Sequence, residues 1–234
     1  MNTAMALSPV ASLTVGPTNA RDLAGRDARP AGLVADPAER ELVRRARRGD
    51  VAAREELALA HRKAAYLLAL QLLGNRDDAL DATQDALLRF FSTLERFRPE
   101  QPVRPWLYSI VRNRCRDLLR RGRVRRAESL DADPAEHWRP ELVDQSADPE
   151  LDAERAELRR KVFAALGMLG AEHREILVLR DYQDLSYQEI AQVLRVPRGT
   201  VMSRLHRARK ALGSALRAAG ALDVVNTPIS EELP

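Results

Sequence analysis

The chain has 234 residues, 45% of them hydrophobic, enough for one or two domains with cores of their own. Its single cysteine, Cys115, excludes an intramolecular disulfide and a cysteine zinc cluster; the four histidines show no i, i+4 pairing, so neither metal nor cofactor is expected. The net charge of +4 is modest but unevenly spread, and no apolar run approaches the length of a membrane span.

Residues 1–36 mix Ala, Pro, Gly, Thr and Arg without periodicity and read as a disordered extension. Their start, MNTAMALSPVASLTVG, lacks a basic region ahead of its mild apolar stretch, which points to a cytoplasmic protein. Helical pattern begins near Pro37, whose fixed φ suits a first turn, and a short helix over Glu39–Arg48 ends at Gly49. Asp50 can cap a longer helix to Leu73, with a seam of Leu57, Ala60, Ala64 and Leu67 and Gly74-Asn75 as its left-handed stop. Asp77 or Asp78 opens a third helix with Leu80, Leu87, Phe90, Phe91 and Leu94 inward. A Pro-rich turn, Pro99–Pro105, leads into a fourth helix, WLYSIVRNRCRDLLRR. Its apolar side is Leu107, Ile110, Val111 and Leu118, with Cys115 as a small buried hydrophobe; its other side carries Arg112, Asn113, Arg116 and Arg120. These four helices make a first α domain over 37–121. Between Arg112 and Arg126 eight arginines crowd into fifteen positions, a density that repels itself unless a polyanion is near and so points to nucleic acid.

Residues 122–152 read as a flexible linker, first basic and then acidic, because Glu128–Asp152 carries nine Asp or Glu against one Arg, with three prolines. A second domain, 153–219, opens with an amphipathic helix whose apolar positions are Leu158, Val162, Ala165, Leu166 and Leu169. A helix from His173 to Tyr182 follows, with Ile176, Leu177 and Leu179 apolar. Then comes DLSYQEIAQVLRVPRGTVMSRLHRARKAL. Ser186 and Glu189 fit a capping box; Ile190, Ala191 and Leu194 make one stripe, and Val196-Pro197 stops the helix. From Gly199 a new helix buries Val201, Leu205, Ala208 and Leu212 and turns Thr200, Ser203, Arg204 and Arg207 outward. His206 faces either DNA or solvent. Two short helices in this order, the second polar and basic on its outer face, describe a helix-turn-helix able to enter a major groove. Residues 220–234 read as an unstructured tail. The fold class is therefore all-α: two small helical domains joined by a flexible acidic linker, the second with a helix-turn-helix.

Four segments, in order and spread over most of 39–213, carry a further resemblance: LVRRARRGDVAAREEL, GNRDDALDATQDALLRFF, RPWLYSIVRNRCRDLLRR and HREILVLRDYQDLSYQEIAQVLRVPRGTVMSRLHRARKAL. Together they resemble an extracytoplasmic-function (group four) sigma factor, a promoter-specificity subunit of bacterial RNA polymerase. The resemblance implies that the partners are polymerase core, through its β′ and β subunits, and promoter DNA, often with an anti-sigma factor, and that nothing inserts into a membrane. It implies that Asp81, Gln84, Asp85 and Arg89 form the surface for the β′ coiled coil. It implies that Phe97, Arg98, Trp106, Arg112, Asn113, Arg116 and Arg120 melt and hold the start-proximal promoter element. Aromatics, an amide and cations are what capture of an unstacked base requires, although Trp106 and Tyr108 sit at helical spacings that suit a core equally. Arg198, Thr200, Ser203, Arg204, His206 and Arg207 match the reader of the upstream element, with Arg suited to guanine and Thr and Ser to phosphates. Three positions depart from the family pattern: Met202 where Lys or Arg is usual, Arg54 where an aromatic is common, and Thr83 within an apolar stretch.

A stand-alone repressor or activator would account for 185–212 and leave the first domain and the linker without a purpose. An enzyme is disfavoured, since no Gly-rich phosphate loop, metal set or nucleophile elbow occurs. The two DNA-reading domains would work about two duplex turns, or about 70 Å, apart. About thirty linker residues stretch to about 100 Å and relax to about 30 Å, so the linker permits that spacing and polymerase core must fix it. The acidic linker is expected to thread core's basic channel as a polyanion mimic. In free protein the two domains are expected to pack together through basic and apolar surfaces until core separates them.

Overall fold

The computed structural model describes residues 35–128 and 149–219, and all their regular structure is helical. The first module holds α1 (Pro37–Arg47), α2 (Val51–Leu73), α3 (Arg76–Ser92) and α4 (Val103–Glu128), with a single 3-10 turn, Leu94–Arg96, between α3 and α4. The second holds α5 (Pro149–Met168), α6 (Ala171–Leu177), α7 (Tyr187–Leu194) and α8 (Arg198–Ala218), with α6 running on into a π turn, Val178–Tyr182. Among the described residues no helix is long and apolar enough to cross a membrane.

The helix starts and stops follow local chemistry. Asp50 accepts a hydrogen bond from the Ala53 N–H (3.1 Å) and caps α2, and the Ala53 N–H, with the Arg45 guanidinium next, holds its carboxyl below the usual carboxylate range. Gly74, at φ 70°, ends α2 with its N–H on the Leu70 carbonyl (2.7 Å). The cap of α3 is Asn75, not the expected Asp77 or Asp78: Asn75 Oδ1 accepts from both their N–H groups (2.9 and 3.1 Å). The two carboxylates sit instead in the first turn, where they favour the helix dipole.

The expected linker is shorter at both ends. α4 continues past Arg121 through Gly122 to Glu128, since one interior Gly costs only about 1 kcal/mol and no proline intervenes. α5 starts at Pro149, a residue suited to a first helical position. The rest of the linker, with the expected polyanion mimic, lies outside the described residues, as do 1–34 and 220–234. The Ala35 N–H donates to the Glu100 carbonyl (2.9 Å), and its own carbonyl accepts from Arg40 (3.2 Å).

Two buried faces differ from the periodicity reading. In α3 the inward residues are Ala79, Ala82, Thr83, Ala86 and Phe90; of those expected inward, Phe90 and Leu94 are buried, Leu87 and Phe91 half-buried, and Leu80 is 41% exposed. Small side chains on that face let α2 and α4 approach closely, and Thr83 satisfies its buried hydroxyl by donating to the Ala79 carbonyl (2.6 Å). In α2 the buried set is Ala53, Leu57, Ala65 and everything from Leu68 to Leu73, with Ala60 exposed. Its last turns are covered on every side because the second module closes over them, and one apolar core runs through both modules.

Cys115 is buried, and burial, reinforced by the nearby Glu175 carboxylate, pushes its thiol up to about 12. The thiolate is the reactive form, so at neutral pH Cys115 should react with a disulfide reagent far more slowly than a free thiol, and at the ordinary rate in urea. Stopped-flow thiol titration checks this.

Candidate nucleic-acid interface and the contact between modules

The expected helix-turn-helix is α7 and α8. Glu189 Oε2 accepts from the Ser186 N–H (2.8 Å) and Ser186 Oγ from the Glu189 N–H (3.3 Å), completing the capping box. Arg195 turns left-handed at φ 55° just before Val196-Pro197 and ends α7; α8 starts immediately after Pro197. Val201, Leu205, Ala208 and Leu212 are buried as their spacing requires. That fixes the rotation of α8: Arg198, Gly199, Met202, Ser203, His206 and Arg207 are exposed, and Thr200 and Arg204 are half-buried on its flank. Ser203 Oγ donates to the Thr200 carbonyl (3.1 Å), and Arg207 Nε to the Ser203 carbonyl (3.3 Å). Arg209, one turn deeper, is tied to Asp181 (3.0 Å) and anchors α8 to the π turn. The N-terminal half of α8 thus stands clear of its own module, with cations on its rim.

On the first module Asp81, Gln84, Asp85 and Arg89 all lie exposed along α3, beside Leu88; Asp85 pairs with Arg114 at 2.6 Å. Arg98, Asn113, Arg116 and Arg120 are also exposed. Phe97 and Arg112 are not, contrary to the outward placement expected of them. Phe97 is buried against Trp106 in a stacked pair (centroids 4.6 Å), and half-buried Trp106 packs in turn on Phe90 (5.0 Å). Tyr108, read as either core or DNA-facing, is wholly buried.

Arg112 instead points into the second module. Its Nε donates to Glu175 Oε1 at 2.5 Å and its Nη2 to Glu175 Oε2 at 3.3 Å, with both side chains nearly buried. A parallel two-bond grip of this kind is the strongest form such a pair takes. Beside it, Tyr108 Oη donates to Gln183 Oε1 (2.7 Å), Gln183 Nε2 donates to Gln71 Oε1 (3.4 Å), and Arg104 Nη2 donates to the Gln183 carbonyl (2.7 Å). Burial pushes the Tyr108 hydroxyl up despite Arg104 over its ring (5.5 Å), so it stays a donor. The π turn sets this relay: its extra residue lets the Gln183 N–H reach back to the Val178 carbonyl (2.9 Å) and delivers the side chain to α4. Arg174 completes the contact by collecting the carbonyls of Leu166, Gly167 and Leu169 at the end of α5 and reaching across to that of Leu72 (3.3 Å).

The two modules therefore do pack together, through a shared apolar core as expected, while the polar part of the contact is a buried ion pair and an amide relay rather than a broad basic surface. Glu175, Gln183, Gln71, Arg104 and Arg174 escaped the sequence reading. Two of them left a signal: Gln71 is a lone amide in LLALQLLG, and Glu175 a lone carboxylate beside ILVL. Polar groups inside apolar runs are retained where a buried partner waits. Among the described residues, no group of His, Cys, Asp or Glu is placed to hold a metal ion.

Residues 57–125 match the family described as Sigma-70 region 2, and residues 159–212 match Sigma-70, region 4; together they cover a little over half the chain. The chain is 32% identical over 181 residues to the RNA polymerase sigma-H factor of Pseudomonas aeruginosa, covering 76% of this chain and 94% of that one. It is 39% identical over 162 residues to the ECF RNA polymerase sigma factor SigE of Mycolicibacterium smegmatis, covering 68% of this chain and 59% of that longer protein. Among solved structures it is similar to the sigma factor RpoE of Bartonella quintana in complex with the anti-sigma factor NepR, with TM-score 0.55, 26% identity, and coverage of 70% of this chain and 96% of that one.

Replacing Glu175 with Ala would strand a buried guanidinium, a loss of about 3–5 kcal/mol to the packed arrangement. The joint replacement Arg112→Met with Glu175→Leu should recover most of that loss, because two well-packed apolar side chains need no partner. Urea denaturation midpoints and small-angle scattering of the two variants measure it; equal midpoints for Glu175→Ala and the native chain would contradict the pairing.

Proposed function

This chain belongs to the extracytoplasmic-function group of sigma-70 factors, and from that membership we propose how its surfaces divide the work of initiation. It binds RNA polymerase core and directs transcription initiation at a specific set of promoters. The exposed strip Asp81, Gln84, Asp85 and Arg89 on α3 is the docking surface for core, and carboxylates there steer toward a basic partner. Arg98, Asn113, Arg116 and Arg120, joined by Arg112 once the modules part and backed by the Phe97–Trp106 stack of their own module, hold the melted start-proximal strand. The outer face of α8, with Arg198, Thr200, Ser203, Arg204, His206 and Arg207, reads the upstream element. Nucleotidyl transfer belongs to the polymerase; this subunit chooses where it starts.

The observation that carries this reading is the side-chain pairing of Arg112. A cation placed for a promoter phosphate is held by Glu175 of the other module, so strand capture and module packing compete for one guanidinium. The packed arrangement is accordingly a resting state, and core, by binding each module at its own site, supplies the energy to part them. The Bartonella relative's complex with an anti-sigma factor makes a protein partner that favours one arrangement a reasonable third participant here.

Three outcomes follow for purified protein and core. Asp81→Lys with Asp85→Lys should weaken core binding by tenfold or more in a pull-down titration. Arg204→Ala should cost about 1–3 kcal/mol of promoter binding and relax preference at one base pair, read from in vitro transcription on a promoter library. Fluorescence energy transfer between dyes at exposed Glu55 and Lys210 should fall sharply when core is added. A protein that never associates with core would leave only the stand-alone DNA-binding reading.

A further inference from the structure

The outer face of α8 carries one side chain that nothing so far uses. Met202 is 53% exposed, the one large apolar group projecting from a helix face otherwise lined by Ser203, His206, Arg207 and half-buried Arg204. Its own module leaves more than half of it in water, whereas the inward residues Val201 and Leu205 on either side are fully packed. One turn before it, on the same face, stands Gly199. A Cβ built at Gly199 meets no atom within 4 Å, and its backbone is ordinary helix. Neither protein packing nor backbone conformation therefore requires glycine at that position, although glycine lowers helix stability relative to alanine. A face that gives up helix propensity and leaves a thioether in water, while ringed by cations, fits close approach of a polyanion that offers an apolar spot.

We propose that Met202 is a base-reading residue whose thioether packs on the 5-methyl group of one thymine in the major groove of the upstream promoter element, with Gly199 leaving room for the DNA backbone. The thymine methyl is the one apolar group that the major groove displays, and apolar side chains recognise it. An unbranched thioether adapts to its position better than a branched side chain. Arg198 and Arg207 flank the pair and hold the helix against the phosphates, while Arg204 reads a neighbouring base. This inference rests on the reading of α7–α8 as the upstream-element reader and names which base that face selects.

Holoenzyme, formed from core and the full chain, is presented with a duplex library randomised over the upstream window, and bound sequences are counted. Each selected thymine is then replaced singly by deoxyuridine, which removes only the methyl group. With the native chain, one position should prefer thymine, and deoxyuridine there should weaken binding about fourfold, the amount that burial of one methyl is worth. With Met202→Ala, that preference and that sensitivity should both disappear, while other positions keep theirs. Gly199→Ala should weaken binding to all selected sequences without lowering the thermal midpoint of the free chain. Unaltered preferences and unaltered deoxyuridine sensitivity in Met202→Ala would overturn the proposal, as would native affinity in Gly199→Ala. A library with no upstream preference at all, despite a formed holoenzyme, would overturn the helix-turn-helix reading beneath it; retained preferences that Arg204→Ala erases and Met202→Ala leaves intact would sink the methyl contact alone.

Discussion

A buried guanidinium must exchange its water for acceptors within the protein, and the contact between the two modules is organised around that requirement. Arg112 leaves the outer side of α4, where neighbouring arginines stay in solvent, and is buried with Glu175 in a two-bond grip. Breaking such a pair costs more than forming it gains, because either partner alone is an uncompensated buried charge. The pair therefore acts less as glue than as a condition: the modules sit in this register or they come apart. Around it, the buried polar side chains of the contact are paired with one another or with carbonyls. Tyr108, Gln183 and Gln71 bond in sequence, Arg104 takes the Gln183 carbonyl, and Arg174 takes the carbonyls that two helix ends leave over.

That arrangement links stability to function through shared residues. The groups proposed to hold the strand divide into those in solvent, Arg98, Asn113, Arg116 and Arg120, the Phe97–Trp106 stack packed within its own module, and Arg112, which the other module holds. Exposed arginines give a non-specific, salt-sensitive attraction to any nucleic acid, whereas stacking groups are needed to keep a base out of the duplex. A closed chain thus retains electrostatic attraction while one of its cations, Arg112, is taken up by Glu175. The outer face of α8, proposed as the upstream-element reader, is open in the same arrangement, and the α3 strip proposed to dock core is open as well.

Much of this was legible in the chain before any coordinates. Asp50, Gly74, and the Ser186–Glu189 box announce helix ends through hydrogen bonds that close within four residues, so sequence spacing is enough to see them. The rotation of α8 follows from Val201, Leu205, Ala208 and Leu212, since a stripe of that period has one way to face a core. The inward face of α3 is only partly legible for the complementary reason. Three of its buried residues, Ala79, Ala82 and Ala86, are alanines, which periodicity weighs little, while Leu80, which it weighs heavily, is left exposed; Phe90 is buried as its position predicts. The end of α2 was misread because its far side is covered by a module some hundred residues away.

The sequence by itself determined the helices, their caps, the helix-turn-helix and the outward basic face, because each depends on interactions of short range along the chain. Only the tertiary structure decided where Arg112 points, what Gln183 and Gln71 are for, and that Phe97 is stacked away. Those depend on which partner occupies the space opposite, and a periodicity of 3.6 can say which side of a helix a residue is on but not what meets it there.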